Sequence, residues 1–128
     1  MPDASLYSRL TTYAGLAELV GLRVYPLMAP ESPLYPACVY LRVSDVPHTT
    51  LDWKIQFRDA RYQVSCYAET RPEVSAVAEQ VIAALHGYIG GAIKKSRFDN
   101  YVELPPEPGA SPSGGFLYHI AVDFTVSF

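Results

Sequence analysis

Residues 59–87, DARYQVSCYAETRPEVSAVAEQVIAALHG, set a strand pattern and a helix pattern back to back, and what each must cover decides the fold. Tyr62, Val64 and Cys66 alternate with Arg61, Gln63, Ser65 and Tyr67, the two-residue period of a strand with one covered face. That strand ends near Ala68. Thr70 and Glu73 then stand at capping-box spacing, where the hydroxyl accepts from the backbone N–H three residues on and the carboxylate returns the bond. Val74, Val77, Ala78, Val81, Ile82 and Leu85 follow at i, i+3, i+4, i+7, i+8 and i+11, one apolar stripe, and Gly87 supplies a left-handed stop. Such a stripe needs a sheet beneath it, so the expected unit is a small sheet with helices on one face.

Toward the N-terminus, Asp3 is placed to cap a first helix with Leu6, Leu10 and Tyr13 along one side. Gly15 interrupts the pattern, and Leu16, Leu19 and Val20 resume it until Gly21, as one bent helix or a helix followed by a short turn. Residues 23–25 add a brief extended segment. Pro26, Pro30, Pro33 and Pro36 then remove backbone donors, and no regular element is expected between them. Val39, Leu41 and Val43 alternate with Tyr40, Arg42 and Ser44, giving a strand that pairs antiparallel with the one around Tyr62.

The connection between those strands, residues 45–55, exceeds the two to five residues usual in hairpins. It holds His48, Lys54 and the only tryptophan, Trp53, and Leu51, Trp53, Ile55 and Phe57 alternate along it. Residues 45–57 read as a docking arm, mobile in the free subunit and ordered against a partner. The alternative is a plain hairpin extension with Trp53 tucked over the sheet edge. After the long helix, Gly90 and Gly91 form a turn with no GK[ST] following, so it is not a phosphate loop. Residues 93–104 read as a strand with Phe98, Val102 and Leu104 on one side. The segment 105–115, rich in proline and glycine, reads as a mobile hairpin tip. Tyr118, Ile120, Val122, Phe124, Val126 and Phe128 mark a final central strand. The expectation is an α+β domain spanning residues 1–128, with a four-stranded antiparallel sheet in α-β-β-α-β-β order and two helices on one face.

Composition excludes several function classes. With 128 residues, 49% of them hydrophobic and 18% charged, the chain resembles a folded soluble domain, and its apolar runs are far shorter than the roughly 20 residues of a membrane span. The opening MPDAS lacks a secretion signal, so cytoplasmic folding is expected. A net charge of −3 argues against general nucleic-acid binding, and Lys94, Lys95 and Arg97 read as a solvated strand end. Cys38 and Cys66 read as two buried free thiols, the alternative being a disulfide between adjacent strands. His86 suits a helix C-terminus, His119 lies on the polar side of the last strand, and none of the three histidines has metal-ligand spacing. No GxSxG elbow or obvious carboxylate pair among Asp52, Asp59, Asp99 and Glu103 is present. No catalytic, cofactor or metal residues are assigned.

The runs Leu6-Tyr7-Ser8-Arg9-Leu10, Gly15-Leu16-Ala17 and Val20-Gly21-Leu22-Arg23-Val24-Tyr25-Pro26 resemble the opening of the tail-completion, or head-to-tail joining, proteins of long-tailed bacteriophages. Pro36-Ala37-Cys38-Val39-Tyr40, residues 60–68 and residues 118–124 are similar to that family in the same order. The resemblance covers nearly the whole chain and rests on core and turn positions. It implies a virion structural protein without cofactor, assembled as a ring, taken as a hexamer, at the head-proximal end of the tail. The implied partners are the head connector or adaptor and the tail tube, with DNA passing through the channel and no membrane involved. Assembly would take place in the host cytoplasm. Tyr40, Arg42, Arg61 and Tyr67 on a polar sheet face, with His48, Leu51, Trp53 and Lys54 on the arm, are the candidate interface residues. The alternatives are a tail terminator or other minor tail protein and, more remotely, a small α+β ligand-binding or enzymatic domain.

Overall fold

The computed structural model describes residues 2–27, 35–109 and 114–128. Its elements run α1 (Pro2–Thr12), α2 (Ala14–Val20), β1 (Val24–Pro26), β2 (Ala37–Thr49), β3 (Ile55–Ala68), α3 (Arg71–Leu85), β4 (Lys95–Pro108) and β5 (Phe116–Ser127). The sheet has five strands in the order β1-β2-β3-β5-β4, with β1 parallel to β2 and every other pair antiparallel.

This corrects the expected four-stranded antiparallel sheet with two helices. The added strand, β1, is three residues long and too short to show a period. It is defined by its partner, with Val24 opposite Cys38 and Pro26 opposite Tyr40. The added helix arises because the chain breaks at Tyr13, whose extended backbone (φ −71°, ψ 114°) ends one helix and caps the next. Gly15 lies inside α2, where it serves close packing: a Cβ there would stand 2.2 Å from Gln80 Oε1 on α3.

The central element follows its pattern. α3 buries Val74, Val77, Ala78, Val81, Ala84 and Leu85 against the inward row of β3, Ala60, Tyr62, Val64, Cys66 and Ala68, and of β5, Ile120, Val122, Phe124 and Val126. Leu6, Leu10, Leu16 and Val20 of the first two helices complete the same core. Each fully buried side chain of this kind contributes about 1.5–3 kcal/mol. Thr70 is the extended N-cap, yet its hydroxyl makes no cap bond, and Pro72 in the first turn supplies a fixed φ instead. Past the helix, Gly87 takes φ +76° and its N–H donates to Ser96 O. His86 Nδ1 accepts from the Phe98 N–H at 3.1 Å, tying the helix end to β4.

Two bulges turn faces over in ways that alternation does not show. Val43 is extra to the β2–β3 register, and N-terminal to it Tyr40 lies opposite Val64 and Arg42 opposite Tyr62, on the helix-covered side. Val39 and Leu41 therefore occupy the open face. On β4 the irregularity after Phe98 leaves Phe98 opposite Phe124 in the core and sends Val102 and Leu104 to the open face, opposite Ala121 and His119. Cys38 and Cys66 are cross-strand partners, buried and unbridged. The expected hairpin tip is β-paired to Pro108 and Phe116, and its residues 110–113 lie outside the described residues, as do residues 28–34 of the proline-rich connection.

Val81→Asp places a carboxylate at a fully buried position and is expected to abolish the cooperative thermal transition followed by far-UV circular dichroism. Phe124→Ala, also at a fully buried site, should keep the fold but lower stability by about 3–5 kcal/mol in urea titrations.

Candidate functional site

The connection read as a docking arm continues the β2–β3 ladder, with one irregularity between His48 and Thr49, and carries the hairpin beyond the sheet, as the hairpin-extension alternative has it. β1 ends opposite Tyr40, and the pairing of β5 with β3 begins at Asp59, followed by main-chain bonds between Arg58 and Phe128. From Pro47 to Phe57 the hairpin has no neighbouring strand on either edge among the described residues. At about 3.4 Å per residue, Thr49 stands roughly 30 Å along the strand from Tyr40.

Charge fixes the root of this arm. Asp45 accepts from both Arg58 nitrogens, at 3.1 Å for Nε and closer for the second, and from Arg42 at 3.4 Å. Arg42 reaches Asp3 of α1 at 2.7 Å, and Tyr62 donates its hydroxyl to the same carboxylate. The ring of Phe128 lies under both guanidinium groups, 4.8 Å from Arg58 and 5.9 Å from Arg42. The Arg58 hydrogen bonds hold the Asp45 carboxyl below its ordinary pKa, and burial together with Asp3 pushes the Tyr62 phenol up. Further out, His48 stacks on Phe57 with ring centroids 4.3 Å apart and meets Asp59 Oδ2 at 2.7 Å. Asp59 also accepts from Ser127, the first cause of its lowered pKa.

The tip is conformationally unusual. Thr50 N–H donates to Lys54 O at 2.8 Å and Trp53 N–H to Thr50 O at 3.0 Å, a tight turn whose last position is left-handed. Glycine or asparagine normally takes that position. Here it is Trp53, at φ +65° and 85% exposed, beside a fully exposed Leu51. Lys54 is exposed, with a 3.7 Å contact to Asp52. Trp53 is therefore not tucked over the sheet edge.

Sequence reasoning missed a second feature, an apolar groove where the N-terminus of α1, the α2–β1 turn, β1 and β2 meet. It is a depression of about 500 Å³ lined by Tyr7, Leu22, Val24, Tyr25, Pro26 and Tyr40, with Asp3 and Ala4 at the α1 end. A smaller one of about 250 Å³, floored by Leu27 and Arg42, adjoins it. The sequence signals of the groove were Leu22 before β1 and Tyr25 within it, large side chains at an element too short to bury them.

The candidate interface residues divide among three places. His48, Leu51, Trp53 and Lys54 lie on the arm, and Arg61 and Tyr67 on the open sheet face. Tyr40 and Arg42 leave the polar face assigned to them, Tyr40 lining the groove and Arg42 the arm root. Tyr67 stacks on His119 at 4.3 Å, and His119 Nε2 is buried without a partner among the described residues. Burial lowers the His119 pKa.

The four carboxylates among which no acid pair was obvious are each engaged with other groups: Asp59 as above, Asp99 with Arg97 and Thr125, Glu103 with Arg71, Asp52 with Thr50. Each is held toward its charged form, which is the wrong direction for a general acid at neutral pH. Among the described residues no three His, Cys, Asp or Glu side chains converge as metal ligands, and no helix is long and apolar enough to cross a membrane. Among the described residues the surface offers contact area at a projecting arm with an apolar tip and at a shallow apolar depression.

This is an α+β domain with a mixed five-stranded sheet, covered by helices on one face and with a hairpin projecting from it. The chain belongs to the tail completion protein gp17 family, whose model matches residues 4–99, and it is a structural protein of the phage tail. Its fold is similar to that of a chain in the virion of a native gene transfer agent (GTA) particle, at 19% identity, covering 95% of this chain and 90% of that one with a TM-score of 0.61. Comparison with curated protein sequences gives no match.

Trp53→Gly removes a left-handed backbone strain and should stabilise the free protein by about 1 kcal/mol, read as a raised urea midpoint. His119 protonates more readily in the unfolded chain, with a pKa of about 6.5, than in the fold, so its contribution is lost as pH falls below that value. His119→Leu should therefore gain stability relative to the natural chain between pH 7.5 and pH 5, measured as the difference in Tm.

Proposed function

We propose that this protein closes the head-proximal end of the tail as a ring of identical subunits and joins it to the head connector, leaving a channel for DNA. Family membership over residues 4–99 supports the place in the virion. The observation that carries the docking role is the arm, which holds an exposed Trp53 at a position where a glycine would cost less. Large flat aromatic side chains dominate interface energetics. Arg61 and Tyr67 on the open sheet face, and His48, Leu51 and Lys54 on the arm, supply the remaining contacts. The role is non-catalytic and needs no cofactor. Assembly proceeds in the host cytoplasm before the subunit is locked into the particle.

Replacing residues 50–54 with an Asn-Gly turn shortens the arm while keeping the His48–Phe57 stack and the root. The shortened protein is expected to melt within a few degrees of the natural one and to leave filled heads and tails unjoined in an assembly assay. Normal joining would overturn the docking role. A single copy per particle, by quantitative mass analysis, would overturn the ring.

A further inference from the structure

Resting on the ring reading, we infer that the Trp53 tip of each subunit seats in the apolar groove between α1 and β1 of the next subunit, so that arm and groove are the two halves of one head-to-tail interface. Exposed large apolar side chains include Leu51, Trp53 and Ile55 at the tip, Leu22 at the groove and Leu27 in the depression beside it, with Ile89 and Phe116 exposed elsewhere. Tip and groove cannot meet within a chain. Tyr40 in the groove and Thr49 at the tip belong to the same strand, about 30 Å apart along a ladder locked at its root by Asp45, Arg58 and Arg42. A second copy presents the missing half.

Charge does not oppose this pairing: Lys54 at the tip is offset by exposed Asp52 at 3.7 Å, and Asp3 at the groove by Arg42 at 2.7 Å. Size agrees with a ring in place of a stable pair. A tryptophan buries about 150–250 Å², so tip and groove together fall short of the roughly 1,000 Å² of a lasting two-body interface. Such a contact persists when every subunit both gives and receives it and the circle closes, or when a template raises the local concentration. The strain at Trp53 has the same logic. A glycine would suit the turn but brings no apolar surface, whereas Trp53 with Leu51 beside it occupies part of a depression of about 500 Å³.

The test uses Leu22→Cys/Lys54→Cys, both exposed positions, which leaves Trp53 in place. Cys38 and Cys66 are buried and do not compete. Assembled tails carrying the double variant, mildly oxidised and dissolved in detergent, should give a non-reducing ladder of cross-linked subunits that either single variant lacks beyond dimers. Rings with several copies per particle but no ladder would sink the arm-in-groove contact and leave the ring reading standing. One copy per particle would sink both. Cross-linking confined to single chains would show the arm folding onto its own groove and overturn the inference. In the same background Trp53→Gly should keep or raise the Tm of the free protein yet cut the ladder at least tenfold, and an undiminished ladder would overturn the role of Trp53.

Discussion

The packing of α3 across β3 and β5 is the contact from which the rest of the molecule takes its position. It joins two hairpins, β2–β3 and β4–β5, that are otherwise sequence-local, and its apolar stripe fixes which side of each strand faces inward. With one face of the sheet covered, the other carries polar side chains, small ones such as Ser65 and Ala121, and the apolar Val39, Leu41, Val102 and Leu104. Once the inward face is set, the hairpin ends must run past the core, and the β2–β3 end becomes the arm. Burial thus places a contact surface that contributes nothing to burial itself.

The elements legible in the sequence were those whose period repeats: α3 over four turns, β3 from Arg61 to Tyr67, and β5 from Tyr118 to Phe128. β1 was legible only as a brief extended segment at residues 23–25, because three residues carry no period and its place in the sheet comes from pairing with β2. The side of β2 was misread for a different reason. Tyr40 and Arg42 are amphipathic, and each keeps its polar end at an edge while its stem lies on the covered face. One extra residue at Val43 and another at Asp99 shift register, and neither bulge is marked by a glycine or proline. The unusual length of the connection and its lone tryptophan exposed half of the candidate site. The groove half stayed hidden because its walls, from α1, the α2–β1 turn, β1 and β2, come together only in the fold.

The arm root shows how polar groups settle an angle that apolar packing leaves open. Asp45 faces two guanidinium groups, one of which also reaches Asp3 at the start of the chain and lies over the ring of Phe128 near its end. A partly exposed ion pair adds little stability alone. Several that share partners across α1, β2, β3 and the residue after β5 define a direction. That direction is what a projecting contact surface requires of its base.

The strand order has a kinetic consequence. β2 with β3 and β4 with β5 are near neighbours along the chain, whereas the β3–β5 seam joins residues as far apart as Asp59 and Ser127. Closing that seam carries the larger loop entropy, and topologies dominated by such pairings fold on the millisecond to second scale. The two hairpins are thus the early units and the central seam, with α3 laid over it, the late one. Until it closes, the inward rows of β3 and β5 are both exposed, and a nascent subunit is most open to mispairing with its siblings while they are produced together in quantity.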